Sequence, residues 1–551
     1  MHREGKLAEA LEIYQALAQE NPGSIVLTNV MALIHWQMNQ PQKAITLLKK
    51  AIKRLPDQGS FYNSLGNIYS KEGKEKEAMQ VFQQAIDKCP DYAIAWANLG
   101  NCYFRLQDKL KAQECYARAL QLDANLTGPR VNLVWLFLKE KDFFAAEKFL
   151  NEIFALNPEH LEALYQLGQL RLDQEKFSEA VEQFEKYNQK QPNNPNNHQG
   201  LGLAYYKLEE YDLAILHFQK ALELNPHIEE GEFHLATAYF LKGERSEAKV
   251  HYLRQLMHGP HLESLYNLGV ILSDQQRHAE AIEYFQQLLQ LDANHLSSHL
   301  NIAALYLKNN NTEAAIKHYQ QALSIDPNNN EVKYILHALT QDEIPARSPI
   351  EYTSHLFDQY APSYENHLKE YLRYNVPAEL HKLFMSLINP MDHSLRILDL
   401  GCGTGLMAEQ FKPQTKEIIG IDLSAEMLKI AANKRIYQRL ENSDILDALN
   451  QYHNYDLIIA ADVLPYLGDL KEFFLKTNKS LNIGGFLLIS IEHTEQTPFV
   501  LQTSMRYAHA KNYINSLASD FNFEVIEVNK TILRHQFGKP VEGYLYLIKK
   551  L

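Results

Sequence analysis

The sequence predicts a chain in two parts: an all-α solenoid over residues 1–328, then an α/β domain over residues 346–551, joined through a cap and linker at 329–345. Three observations predict it. Small residues, large apolar residues and prolines return every 34 residues through the first part. A short apolar run, Ile397 to Leu400, breaks into Gly401, Gly403 and Gly405 and then into the helix formers Leu406 to Gln410, which reads as strand, tight turn, helix. Between these patterns lies Gln341 to Pro349, with Pro345 and Pro349, the best linker in the chain.

The totals agree. A chain of 551 residues is too long for one core. The net charge is −13 and no basic block is present, which argues against a general nucleic-acid grip. Cys89, Cys102, Cys115 and Cys402 have no metal-ligand or CxxC spacing, so no metal site is expected and a reducing, cytoplasmic setting is. Met1 leads into an amphipathic segment rather than a signal peptide, and no apolar run reaches bilayer length. Oligomeric state is not readable.

In the first part, Pro22, Pro56, Pro90, Pro158, Pro192, Pro226 and Pro260 share one register, with Ala124 in the remaining slot. Alanine stands twelve residues before each slot, from Ala10 and Ala44 to Ala214 and Ala248. A large side chain stands eight before it, among them Tyr14, Leu48, Phe82, Tyr116, Phe184 and Tyr252. Gly66, Gly100, Gly168 and Gly202 share an earlier phase, and after the loss of one residue the pattern resumes at Gly269, Ala281 and Phe285. Each unit is two amphipathic helices. Small residues let the helices cross closely, large ones fill the gap, and no unit can bury its face alone, so units stack. The pattern resembles the tetratricopeptide repeat, most fully at Tyr62, Leu65, Gly66, Tyr69, Ala78, Phe82, Ala85 and Pro90, and covers a half repeat plus nine whole ones. By this register Met1 falls at about the eleventh position of a unit, which reads equally as a capping half repeat or as a start placed late.

The first helix of each pair would line the concave wall of such a superhelix. Asn98, Asn132, Asn267 and Asn301 recur there at one phase, beside Gln166 and His234. An asparagine amide can bond both polar groups of an extended peptide, so a protein or peptide partner is expected in the groove. O-linked N-acetylglucosamine transferase has a similar ladder. The alternative is that asparagine is simply common at this position.

After the repeats, Val332, Ile335, Leu336 and Leu339 predict a closing helix over 329–340. The stretch HLFDQYAPSYENHL, 355–368, places Phe357, Tyr360 and Tyr364 on one helical face. A further helix carries Pro377, Leu380, Leu383, Phe384, Leu387 and Ile388 into the first strand.

The glycine turn is Asp399-x-Gly401-x-Gly403-x-Gly405, with Cys402 inside it. Its third glycine falls one place early for the dinucleotide fingerprint. The motif resembles motif I of the class I S-adenosylmethionine (SAM)-dependent methyltransferases. That resemblance implies a Rossmann-like domain with a seven-stranded sheet ending in a reversed pair, with SAM as cofactor and Asp399 near its ammonium. It also implies that Asp422, ending the strand Ile418–Asp422, takes the ribose hydroxyls; that Leu423, Met427 and Ile445 contact the adenine; that Asp444 takes its amine; that Ala460 to Asp462 face the cofactor; and that Phe357, Tyr360 and Tyr364 form a lid. Leu481-Asn-Ile-Gly-Gly485 and Phe486 to Glu492 look like the family's turn and fifth strand. Beyond it, 507–517 reads as a helix, and 523–534 and 543–549 as the last strands. The whole layout, with ILDLGCGTGLMAE, YDLIIAADVLPYLGDL and LRHQFGKPVEGYLYL, resembles the predicted tetratricopeptide-repeat methyltransferases of bacteria.

Methyl transfer needs a lone pair aligned opposite the departing sulfur, so orientation and desolvation supply much of the rate. A base is needed only for a protonated acceptor. The candidates are Tyr466, His493 and His509, and Arg506 and Arg534 are candidates to hold an anionic one. Three readings follow: an enzyme for a protein or peptide recruited by the repeats, a small-molecule methyltransferase whose repeats serve assembly, or a scaffold with a vestigial cofactor fold. The intact Asp399, three glycines, Asp422 and Asp444 speak against the third.

Overall fold

A computed structural model describes residues 6–388, 390, 393–496, 498–536 and 538–551, so the register at Met1 lies outside the described residues. The chain divides after Ser264 into two compact units.

The first unit begins with the helix Leu7–Glu20 and continues as antiparallel helix pairs, from Ile25–Gln37 with Pro41–Arg54 to Gly231–Lys242 with Arg245–Met257. The period has a steric cause. A Cβ on Gly66 would stand 2.4 Å from the Phe82 ring, on Gly168 2.6 Å from Phe184, and on Gly202 2.5 Å from Phe218. Phe184 is gripped twice, since Gly200 on the next first helix would also meet it, at 2.7 Å. Ala44, Ala78, Ala112, Ala146, Ala180, Ala214 and Ala248 are fully buried where the helices cross. A second periodic feature carries no sequence signature. The turn inside each pair holds one left-handed residue, at Asn39, Gly73, Gln107, Lys141, Glu175, Glu209 and Gly243. Only two of these are glycine, so the turn imposes the conformation on ordinary residues.

The helix Leu262–Asp274 begins just before the division, and the second unit continues the pattern with His278–Leu291 and with the pair Leu296–Lys308 and Thr312–Ile325. A cap helix, Asn330–Thr340, follows. Its N-cap Asn329 accepts from the Val332 N–H. A lid helix, Ile350–Tyr360, turns through Ala361–Ser363 into Tyr364–Glu370.

The α/β fold has strands β1 (Leu395–Leu400), β2 (Thr415–Asp422), β3 (Arg439–Asn442), β4 (Tyr455–Ala460), β5 (Leu481–Glu492), β6 (Phe499–Leu501), β7 (Tyr507–His509), β8 (Phe523–Gln536) and β9 (Lys539–Lys550). Seven form one sheet in the order β3-β2-β1-β4-β5-β9-β8, parallel except for β9, which runs antiparallel to both neighbours. β1 and β4 are buried along almost their whole length because helices cover both faces. The helices Val376–Leu387 and Leu406–Phe411 pack on one face through Leu380, Phe384, Met407 and Phe411. Lys471–Ser480 and Lys511–Asp520 pack on the other through Phe473, Phe474, Ile514 and Leu517.

Two expectations change. The helix expected over 507–517 begins only at Lys511, because Tyr507–His509 pairs with β6 as a hairpin. The linker at 341–349 is not a loose tether. The Ala346 carbonyl accepts from the Gly468 and Asp469 N–H groups, and the Ser348 N–H donates to the Tyr466 carbonyl. The cap helix also docks on the hairpin. Tyr334 and Ala338 bury with Leu501 and Tyr507, the Tyr334 hydroxyl donates to the Met505 carbonyl at 2.9 Å, and the Tyr507 hydroxyl donates to Pro345 at 2.7 Å. Among the described residues no helix is long and apolar enough to cross a membrane.

Candidate cofactor and acceptor cleft

The sheet reverses direction of winding between β1 and β4, and the loops after these strands part there. A cleft of about 710 Å³, counting its open mouth, lies at their carboxyl ends. Gly401 and Gly403 come to it from the loop after β1, Asp422 from the end of β2, Asp444 from the loop after β3, and Ala461, Asp462 and Val463 from the loop after β4.

All three glycines of the turn are left-handed, with φ of 63°, 52° and 91°. Gly401 admits no side chain, since its Cβ would stand 2.2 Å from Val463. Gly403 is different: a Cβ there would meet only the Tyr364 ring, at 3.9 Å, so its backbone is open to the cleft. Asp422 is locked by the same turn. One carboxylate oxygen accepts from the Gly403 N–H and the other from the Ser424 N–H, both at 2.8 Å. Burial pushes its carboxyl above the usual range against those bonds. Each oxygen keeps a lone pair for a further donor.

Asp399 lies beneath the turn, 1% exposed, and accepts from the Tyr437 hydroxyl at 2.6 Å. Burial pushes its carboxyl up to about 7, against the Tyr437 hydrogen bond and with the Asp422 charge adding to the rise. Tyr437 carries no motif, and sequence reasoning missed it.

At the other end, Asp444 accepts from the Leu446 N–H at 2.9 Å and is paired by Arg347. Leu423, Met427 and Ile445 make an apolar slot beside it. Arg347 sits in the stretch read as linker, where nothing in its spacing marks it. The lid helix closes the cleft with Thr353 and Phe357, and Tyr364 follows from the next turn. It is pinned by its own chemistry: Asp358 accepts from the Ser424 hydroxyl at 2.6 Å and from the Glu426 N–H at 3.2 Å, and Lys434 pairs with Glu365 and Glu409.

Of the residues expected to bind cofactor, Tyr364, Gly401, Gly403, Asp422, Leu423, Met427, Asp444 and Ile445 line the cleft. Tyr360, Asp399, Cys402, Gly405 and Ala460 stand behind it. Tyr360 bonds His367 and packs edge-on against Tyr364. Asp399 is held by Tyr437, and Gly405 makes room for that same ring. The Cys402 thiol turns toward Gly420, and burial holds it well above its ordinary range. Ala460 faces the core, and its neighbour Ala461 faces the cleft, because successive strand residues point to opposite sides.

The wall beyond Gly401 is formed by the loop after β4. Asp462, at a left-handed φ of 60°, and Tyr466 line it. Arg506, just before β7, donates to Asp462, to Glu492 and, at 2.6 Å, to the Tyr466 hydroxyl. Arg534 on β8 pairs with Glu492 at 2.8 Å, and its Nη1 stands 3.7 Å from Asp462. Burial raises the Glu492 carboxyl, but the two guanidinium groups outweigh it and hold the group below the usual range.

The three base candidates fare badly. His509 is fully buried, its Nε2–H donates to the Leu467 and Gly468 carbonyls, and burial pushes its pKa down to about 4. It positions the loop after β4 rather than touching the cleft. His493 bonds Glu495 and is not part of the wall. Tyr466 is in the wall, but its oxygen already accepts from Arg506, and burial raises its pKa. Arg506 and Arg534, expected to hold an anionic acceptor, instead meet on Glu492 and are not among the residues that line the cleft.

The asparagine ladder also changes. The Asn98 amide donates to Asn63 at 2.5 Å, Asn132 donates to Asn101 and the Tyr116 hydroxyl, and Asn301 to the Tyr266 hydroxyl and the Ser297 carbonyl. These amides bind repeat to repeat, and Asn132 and Asn301 have no N–H left for a peptide. Asn267 also has a partner.

Comparison with known proteins agrees with both halves. A methyltransferase-domain family matches residues 398–487. Tetratricopeptide-repeat families match 1–68, 66–107, 93–126, 137–204, 198–228 and 261–328. The chain therefore consists of tetratricopeptide repeats followed by a class I methyltransferase domain. Among curated relatives, a malonyl-[acyl-carrier protein] O-methyltransferase of Bacillus anthracis is 28% identical over 30% of this chain and 65% of its own length. The mitochondrial ubiquinone biosynthesis O-methyltransferase of Rattus norvegicus is 31% identical over 19% of this chain and 33% of its own. A trans-aconitate 2-methyltransferase of Variovorax paradoxus is 32% identical over 20% and 43%. The chain thus spans from a third to 65% of the length of these relatives. Solved structures include a human IFIT1 dimer with m7Gppp-AAAA, 18% identical over 59% of this chain and 87% of that one, TM-score 0.37. A SAM-dependent methyltransferase of Methanosarcina mazei is 17% identical over 30% and 95%, TM-score 0.26.

Proposed function

We propose that the chain binds SAM in this cleft and transfers its methyl group to an acceptor at the Asp462–Tyr466 wall, with the repeats as a docking platform for a protein partner. The observation that carries the reading is the convergence of the open Gly403 backbone, Asp422 and Asp444 on one cleft at the switch point. The residues suit the cofactor. Asp422 is fixed by two backbone N–H groups and can take two hydroxyls, Leu423, Met427 and Ile445 suit a flat ring, and the buried carboxylate of Asp399 suits a nearby cation. When bound, SAM supplies an electrophilic methyl carbon. The protein's own work is to orient the acceptor with Tyr466 and to exclude water with Phe357 and Tyr364.

Asp422→Ala removes the hydroxyl acceptor, and SAM affinity measured by calorimetry is expected to fall about a hundredfold or more, roughly 3 kcal/mol. Wild-type affinity in the variant sinks the assignment. A second reading, a small-molecule acceptor with the repeats used for assembly, is favoured by the relatives' names and by asparagines already committed to neighbouring repeats. Labelled SAM added to lysate separates the two, according to whether label enters protein or small molecules.

A further inference from the structure

The loop after β4 presents one carboxylate to the cleft. Asp462 lines it, with its side chain 18% exposed. Its Oδ1 accepts from Arg506 and stands 3.7 Å from Arg534 Nη1. Its Oδ2 takes part in no hydrogen bond among the described residues. Glu492, the other carboxylate of the cluster, is 1% exposed, and its unpartnered Oε2 is sealed inside the protein. In this cluster, Asp462 Oδ2 is therefore the acidic oxygen that an incoming molecule can reach.

The side chain is aimed, not free to swing. Arg506 holds Oδ1 through Nη2 while its Nη1 donates to the Tyr466 hydroxyl at 2.6 Å, so one guanidinium fixes two residues of the wall. The Asp462 N–H donates to the Ser490 hydroxyl at 2.8 Å, and the backbone sits at a left-handed φ of 60°. A residue other than glycine stays in that conformation where its surroundings hold it. Phe357 stands edge-on to Tyr466 with ring centroids 5.4 Å apart, and Tyr364 stands edge-on to Phe357 at 6.3 Å. These three rings line the same cleft as the free oxygen and keep water away from it.

Resting on the methyltransferase reading above, we propose that the acceptor is a hydroxyl group and that Asp462 Oδ2 is the catalytic residue that takes its proton. The hydroxyl donates to Oδ2, which turns a lone pair of its oxygen toward the methyl donor. That lone pair forms the new C–O bond, the pair of the breaking C–S bond stays with sulfur, and the O–H proton passes to Oδ2. A carboxylate held by an arginine is a weak base, yet it is base enough here. As the C–O bond forms, the oxygen becomes an oxonium, and its proton becomes more acidic than a carboxylic acid. The sulfonium and carboxylate charges vanish together, a change that a dry cleft favours. Other acceptors suit the wall less well. An ammonium would pair with Asp462 and stay protonated, with no lone pair for the methyl group. A carboxylate acceptor would meet a like charge.

The test uses the full chain, incubated with lysate and methyl-labelled SAM and compared with lysate alone. A methyl ether keeps its label through mild alkali and releases it as methyl iodide in hot hydriodic acid. A methyl ester loses its label to alkali, and an N-methyl group keeps it through both treatments. The label added by the chain is expected to behave as an ether. Acid precipitation then shows whether the hydroxyl belongs to a protein or to a small molecule. Asp462→Asn keeps an oxygen for Arg506 but places an N–H2 group where the proton acceptor stood. Its initial rate of label transfer is expected to fall roughly a hundredfold or more, with S-adenosylhomocysteine affinity unchanged in calorimetry. Transfer by Asp462→Asn at the wild-type rate overturns the proposal, as does label that alkali releases or that hydriodic acid leaves in place. If Asp462→Asn does not fold, the chemistry of the wild-type product decides alone. Failure of the wild-type chain to bind S-adenosylhomocysteine counts instead against the methyltransferase reading.

Discussion

Gly168 and Gly403 do opposite things. In the repeats, Gly168 is vacant of side chain so that the chain's own Phe184 can press against the helix. In the turn after β1, Gly403 is vacant and its space stays open. At Gly66, Gly100, Gly168, Gly202 and Gly269 the gap is filled by the ring sixteen positions on, so the same local solution is copied from unit to unit. The second unit gathers residues from Arg347 to Leu467 around a space it does not fill. The difference teaches how to read the two kinds of glycine. One with an aromatic at fixed spacing marks packing, and one after a strand with nothing above it marks a ligand.

The comparison breaks first at the place where a repeat-like element serves the α/β fold. Tyr334→Ala strips the cap helix of its packing on Tyr507 and of its bond to Met505. A loss of about 3–5 kcal/mol is expected in the unfolding of the second unit. For the same reason a fragment of residues 329–551 should melt well above one of 346–551. Equal stabilities would mean that the cap is a passive lid on the repeats.

Asp399 gives the next effect. Its folded carboxyl is raised to about 7, above the ordinary range near 4. In that window the folded state holds a proton that the unfolded state has lost. Stability is therefore highest at low pH as far as this group is concerned, falls as pH rises from about 4 to 7, and is level above that. Asp399→Asn should remove that slope, leaving the variant more stable than wild type above pH 7 by an amount on the order of 2–4 kcal/mol. Melting curves of the two proteins across pH 4–8 check it. Parallel profiles would show that Tyr437 already holds the charged form.

Gly168→Ala sharpens the contrast from the other side. Its Cβ meets the buried Phe184 ring, and a destabilisation of about 1–3 kcal/mol is expected, with SAM affinity unchanged. A matching loss of SAM binding would show that packing in the repeats reaches the cleft. The smallest effect is a gain. Glu175 is held at a φ of 60°, and Glu175→Gly should stabilise the first unit by roughly 0.5–1 kcal/mol in chemical denaturation. No gain would mean that entropy regained by the unfolded chain offsets the relieved strain.

The sequence by itself determined the repeats almost completely. Their contacts lie within one period, so the small residue and the ring it admits are read at fixed spacing. It also determined the turn from Asp399 to Gly405 and the acid at Asp422, because a strand end and a tight turn are local events. Only the tertiary structure decided the rest. Arg347 reached Asp444 from a stretch that reads as linker, Tyr437 took Asp399, Tyr507 became a strand beneath the cap helix, and four charged groups from four separate segments closed around Tyr466. Those pairings span tens of residues to more than a hundred. Nothing in a local pattern encodes which of many charges or rings will meet, since that is settled by how the sheet and its loops bring distant segments together.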